Sequence, residues 1–121
     1  MPTVPQTPKP ETDEERHERT GLTSLRMSDE QSKAVQKTVN RIALDDIEEK
    51  LAHIDYINPE RHPHMTLCLI TLANGYIVVG KSTPADPENF NEKLGRQFAY
   101  EDAIRQIWPL EAYLLREAMS L

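Results

Sequence analysis

At 121 residues the chain has room for one domain, and 14 Lys and Arg against 20 Asp and Glu give a formal net charge of −6. This balance lacks the basic footprint of a nucleic-acid binder, and no run of Lys or Arg marks an anionic membrane surface. A single cysteine, Cys68, excludes an internal disulfide. The polar, proline-rich start is unlike a signal peptide, and the apolar runs fall far short of the roughly 20 residues of a membrane span. These features predict residence in the cytosol.

Residues 1–27 are expected to form a disordered polar tail. Pro2, Pro5, Pro8 and Pro10 are followed by Glu11-Thr12-Asp13-Glu14-Glu15-Arg16-His17-Glu18-Arg19, a stretch with too little apolar surface to offset its chain entropy. Leu22, Leu25 and Met27 could anchor weakly on a partner, but a solvated tail is the plainer reading. Ser28-Asp29-Glu30-Gln31 has the form of a capping box and predicts a helix start at Ser28. Val35, Val39 and Ile42 recur behind it at helical spacing. Leu44, Ile47, Leu51 and Ile54 stand three or four apart, with acids and Lys50 between them, which predicts a second, amphipathic helix. Asn58-Pro59 is expected to end it. Asp45-Asp46 and Glu48-Glu49 then form its wet face rather than a carboxylate dyad.

The period next changes to two. Met65–Leu72 and Tyr76–Lys81 read as strands joined through Ala73-Asn74-Gly75, and Asn-Gly between β-rich runs is a strong hairpin signal. Met65, Leu67 and Leu69 share one face of the first strand, and Cys68, Ile70 and Leu72 the other. A hairpin apolar on both faces needs both covered, by helices or by another subunit. After a loop punctuated by Pro84 and Pro87, apolar residues from Phe90 to Trp108 follow helical spacing. Pro109 either kinks this helix or opens a new one. The expected fold is therefore α+β: a two-stranded antiparallel hairpin packed against a long C-terminal helix and one or two N-terminal helices, in a single domain over 28–121. The expected core centres on Leu67, Leu69, Ile70, Val78, Phe98, Ile104, Ile107 and Trp108.

The candidate ligand-binding residues are Lys81, Ser82, Asn89, Phe90, Asn91 and Arg96, which run from a strand end to a helix start. Backbone N–H groups at a helix start attract anions; Lys81 and Arg96 would add charge, and Phe90 could stack on a base. Against this, Asn89 could simply cap, Phe90 pack, and Gly95 admit the helix to the sheet. His53, His62 and His64, with Glu60 nearby, are the metal candidates. Zinc needs three or four placed ligands, and no cysteine cluster or HExxH accompanies them, so neither a metal nor a cofactor is expected. Cys68 sits in an apolar run and reads as a small buried hydrophobe rather than a nucleophile activated by His64. No catalytic residue is assigned and no enzyme is expected.

Several segments together carry a family resemblance: Thr66-Leu67-Cys68-Leu69-Ile70-Thr71-Leu72-Ala73-Asn74-Gly75, Gly80-Lys81-Ser82, Pro87-Glu88-Asn89-Phe90-Asn91, Gly95-Arg96, Ala99-Tyr100-Glu101-Asp102-Ala103 and Ile107-Trp108-Pro109-Leu110-Glu111-Ala112-Tyr113-Leu114-Leu115. In this order they resemble the gene product 49 / gene 66 family of small tailed-phage proteins, over about residues 41–121. Asn91, Lys81 and Ala112 stand where the family often has Asp, Glu and Gly. The resemblance implies a phage or prophage accessory protein, in the host bacterial cytoplasm, working in host takeover, counter-defence or regulation. It implies no activity, cofactor or catalytic residue. The first expectation is a non-enzymatic protein that binds another protein, host or phage, as a homo-oligomer. The alternative is a sponge that sequesters a nucleotide signal at the 81–96 segment.

Overall fold

The computed structural model describes residues 7–20 and 23–121. Four antiparallel strands form one sheet in the order β1-β2-β3-β4: β1 (Lys9–Pro10), β2 (Leu51–Ile57), β3 (Thr66–Leu72) and β4 (Ile77–Ser82). The helices are α1 (Asp13–Thr20), α2 (Ser24–Ala34), α3 (Leu44–Glu48) and α4 (Glu92–Met119), with a short 3-10 turn at Pro87–Asn89. The fold is α+β with a long C-terminal helix, as expected, but the sheet has four strands rather than two. The hairpin β3–β4 pairs Leu69 with Val79 and Ile70 with Val78 around the Asn74-Gly75 turn, where Gly75 takes the positive φ of 91° that the turn demands.

The extra strands correct two expectations. Leu44, Ile47, Leu51 and Ile54 are not one helix: α3 stops after Glu48, Lys50 N–H closes its end on Ile47 C=O at 2.9 Å, and the chain extends as β2. A three-or-four spacing fits a short helix running into a strand as well as it fits one helix, and the period-two burial of Ile54 and Tyr56 decides it. Asn58 therefore follows a strand, and its Nδ2 donates to Met65 C=O and Thr66 Oγ1, tying the β2–β3 loop. The second correction concerns the start of the chain. Residues 7–20, within the stretch read as tail, include β1, paired to β2 at Lys9–Tyr56 and Pro10–Asp55, and then α1; residues 1–6 and 21–22, Leu22 among them, lie outside the described residues. Leu25 is in the core. The helix expected at Ser28 begins at Ser24 instead, capped by Thr23 Oγ1, which accepts from Arg26 N–H at 3.2 Å. It ends at Ala34, and Val35 and Val39 are exposed because nothing packs on them.

The core lies between the sheet and α4, with α2 and α3 closing one end. Ile70, Val78, Ile104 and Ile107 are buried as the patterns predicted, joined by Leu44, Ile47, Ile54, Tyr56, Cys68, Ala99 and Ala103. Leu67 and Leu69 are only half-buried, because they alternate with Cys68 and Ile70 and point away from the core. Phe98 is 50% exposed, and Trp108 packs at the core margin, its Nε1 donating to Ile42 C=O at 2.9 Å. Helix α4 runs through Pro109 without ending. The carbonyl of Arg105 loses its usual helical partner there, but Arg105 and Pro109 are both exposed, so water can serve it.

Charged groups staple the helices. Asp29, buried on α2, accepts from Leu44 N–H at 3.0 Å and pairs with Arg41; Lys50 pairs with buried Glu111. Both sheet edges are managed. At β4, Gln106 Nε2 donates to Val79 C=O and Asp102 Oδ2 accepts from Lys81 N–H, each at 2.9 Å. At the other edge stands the two-residue β1 with Pro10, which has no N–H to offer a further strand.

Candidate functional site

The β4–α4 connection forms a cleft of about 210 Å³ lined by Ser82, Asn89, Phe90 and Asn91, with Phe98 on α4 and His64 from the β2–β3 loop. Its walls follow from local rules. Asn91 is the helix cap, its Oδ1 accepting from Leu94 N–H at 3.0 Å; Asn89 ends the preceding turn, its N–H bonded to Asp86 C=O. Gly95 faces the sheet so closely that a Cβ would lie 2.7 Å from Thr66 Oγ1. The His64 ring meets Phe90 edge-on, with centroids 5.4 Å apart.

Four of the six candidate residues are thus brought together, and two are not. The lining does not include Lys81 or Arg96. Lys81 follows Val79 on β4, opposite Leu67, and is exposed on the face away from the core. Arg96 turns to the other flank of α4, where its side chain is 11% exposed. It pairs there with Glu15 of α1 and with Glu92 at 3.3 Å, and lies over the Tyr56 ring at 5.2 Å. At helical spacing Asn91 and Arg96 are five residues apart, so they fall on different sides of α4; the linear segment concealed this.

His64 and Phe98 are cleft residues that the sequence did not assign. The sequence marked His64 only as a metal candidate, and its partner Phe90 is 26 positions away. Among the described residues no three His, Cys, Asp or Glu side chains are grouped as metal ligands, and no helix is long and apolar enough to cross a membrane.

A family model matches residues 33–119, described as the phage protein (N4 Gp49/phage Sf6 gene 66) family. The chain belongs to this family. No curated protein and no solved structure matches significantly. The matched stretch of this family member contains α3, β2, β3, β4 and α4, together with the whole cleft, while β1, α1 and most of α2 precede it.

Cys68 is fully buried beside Tyr56, and that burial, the dominant cause, pushes its thiol up to about 12, while a hydrogen bond with Tyr56 works in the opposite direction. Tyr56 is also raised, chiefly by burial. A neutral thiol is a poor nucleophile. The native protein is therefore expected not to react with a chromogenic disulfide reagent at pH 8, and to yield one equivalent on denaturation. Because the folded thiol is raised, its stabilising contribution is complete below the ordinary thiol range of about 8.5. It falls as pH rises from there towards 12.

Proposed function

We propose that this phage protein is a non-enzymatic accessory protein that acts in the host bacterial cytoplasm by binding another protein, and that it works as a homo-oligomer. One observation carries the reading: the sheet face turned away from α4 is open and carries an apolar patch, with Asp55, Thr71 and Lys81 around it. Leu67 and Leu69 sit at its centre, half-buried. Ile77 and Val79 beside them are 58% and 44% exposed. Ile57 pairs with Leu67 on the same face. Apolar side chains gathered on one flat face mark a contact surface more than isolated exposed ones do. The last turns of α4 add a second apolar surface, with Leu110, Tyr113, Leu114 and Met119 exposed. The sheet edges offer less, since Asp102, Gln106 and Pro10 occupy them, so association is expected through faces rather than strand pairing.

A nucleotide sponge is the second reading. It required Lys81 and Arg96 in one cationic pocket, and the cleft that does form is neutral and aromatic apart from His64.

The test is Ile77→Glu/Val79→Glu, which places two charges on the open face without touching the core. Light scattering is expected to give a multiple of 13.9 kDa for the native chain at micromolar concentration. Pull-down from infected-host lysate is expected to lose its captured protein with the double variant. A monomer mass throughout removes the homo-oligomer, and an unchanged captured set removes this face as the binding surface.

A further inference from the structure

Helix α1 meets the body through polar side chains over residues 13–17. From Glu11 to His17 every residue is polar, and of these only Glu11 and Glu15 are even half-buried. The dock includes Glu15 against Arg96, Glu14 within 3.9 Å of Lys93, and a backbone bond from Glu11 N–H to Ile54 C=O at 2.9 Å. Glu15 is positioned from within its own segment, because its N–H donates to Thr12 Oγ1 and its Oε1 accepts from the same hydroxyl.

Beneath Glu15 stands the Arg96 guanidinium, which the exposed side chain of Glu92 also meets at 3.3 Å. The guanidinium carbon of Arg96 lies over the Tyr56 ring, 5.2 Å from its centroid. Lys93, Gln97 and Tyr100 complete the wall. Glu101 lines the pocket too, but its carboxylate accepts from Ser24 Oγ at 3.0 Å and Gln97 Nε2 at 3.2 Å, with Arg105 at 3.8 Å. The carboxylate of Glu15 fits this pocket incompletely. Its Oε2 and the Nε of Arg96 are both buried without a hydrogen-bond partner, and about 30 Å³ is left beside them. An unused buried donor is costly, and an anion that set one of its oxygens on the Nε of Arg96 would satisfy the donor that Glu15 leaves unmet. Arg96, Lys93, Tyr56, Gln97 and Tyr100 fall within the family-matched residues, whereas Glu15 does not.

We infer that this pocket is an oxyanion site of the body, that Glu15 fills it as a tethered stand-in, and that its ligand is a phosphate monoester. A phosphoryl group offers three acceptor oxygens in a tetrahedral array, and Arg is suited to such groups. Binding displaces α1, whose polar dock makes it the part of the fold easiest to release. The same phosphoryl group can arrive on a nucleotide or on a phosphorylated side chain. The inference stands independently of the sheet face and of the cleft beside Phe90.

The experiment titrates the full chain, Glu15→Ala and Glu15→Ala/Arg96→Met with inorganic phosphate, a nucleoside monophosphate and O-phosphoserine, following the Arg96 Nε–H resonance or, where Arg96 is replaced, backbone amides of α4. Glu15→Ala is expected to bind at least tenfold more tightly than the native chain, because a tethered competitor at millimolar effective concentration is gone. The double variant is expected not to bind. In the native chain, saturating phosphate is expected to speed amide exchange across residues 13–17, a readout that needs no variant to fold. Tighter binding of one ester than the other names the source of the phosphoryl group. Equal affinity of the native chain and Glu15→Ala, binding that survives in the double variant, or unchanged exchange at 13–17 under phosphate would each overturn the inference.

Discussion

Gly80→Ala is expected to destabilise the fold by about 3 kcal/mol or more, although it adds a single methyl group. Gly80 lies on β4 where α4 crosses the sheet, paired with Cys68 on β3. A Cβ built there would stand 2.0 Å from Ala99 C=O, 2.5 Å from Ala103 N and 2.8 Å from Ala103 Cβ. The first two are backbone atoms of a helix and cannot turn aside as a side-chain tip can. The helix would have to lift, uncovering Cys68, Ile70 and Val78 together. Ala99 and Ala103 are the helix's share of the same close approach, both fully buried. Chemical denaturation is the measurement. A loss under 1 kcal/mol would mean that α4 does not sit this close to β4. Gly75→Ala makes a useful contrast: its Cβ would meet nothing, so any loss there comes from the positive φ alone.

The second large effect separates the core from residues that only resemble it in sequence. Ile70→Ala and Ile107→Ala are each expected to cost about 2–5 kcal/mol, since each leaves a cavity where the side chain was fully enclosed. Phe98→Ala, by contrast, is expected to cost less than either despite removing more atoms, because half of that ring already faces solvent. Leu67→Ala should fall between them. Urea melts of the four variants give the order directly. A Phe98→Ala loss as large as that of Ile107→Ala would place the ring in the core and close the cleft beside His64.

That contrast also shows how far the sequence reaches. Phe98, Ile104, Ile107 and Trp108 all obey the helical spacing of α4, and nothing along the chain distinguishes those that face the sheet from Phe98, which lies at its margin. The distinction is made by Gly80, Ala99 and Ala103, whose small size fixes where helix and sheet touch. Similarly, the strand β3 was legible as a strand apolar on both faces, but which face is covered depends on the side α4 takes.

The sequence by itself determined the α+β class, the β3–β4 hairpin with its Asn-Gly turn, the long final helix, the burial of Cys68, Ile70, Val78, Ile104 and Ile107, and the family. These rest on local chemistry: turn residues with a required φ, and periods of two and of 3.6. Only the tertiary structure decided the rest. Leu51–Ile57 became a strand because the free edge of β3 was there to pair with it. Polar residues 9–17 took ordered places because β2 offered an edge and Arg96 a buried charge to neutralise. Of the six candidate residues, four line the cleft, Arg96 lies on the other flank of α4 and Lys81 on the outer face of the sheet, for the same kind of reason. Spacing along a chain fixes which residues share a local element, and so makes the pair of Arg96 with Glu92 legible, but its buried partner Glu15 is 81 positions away.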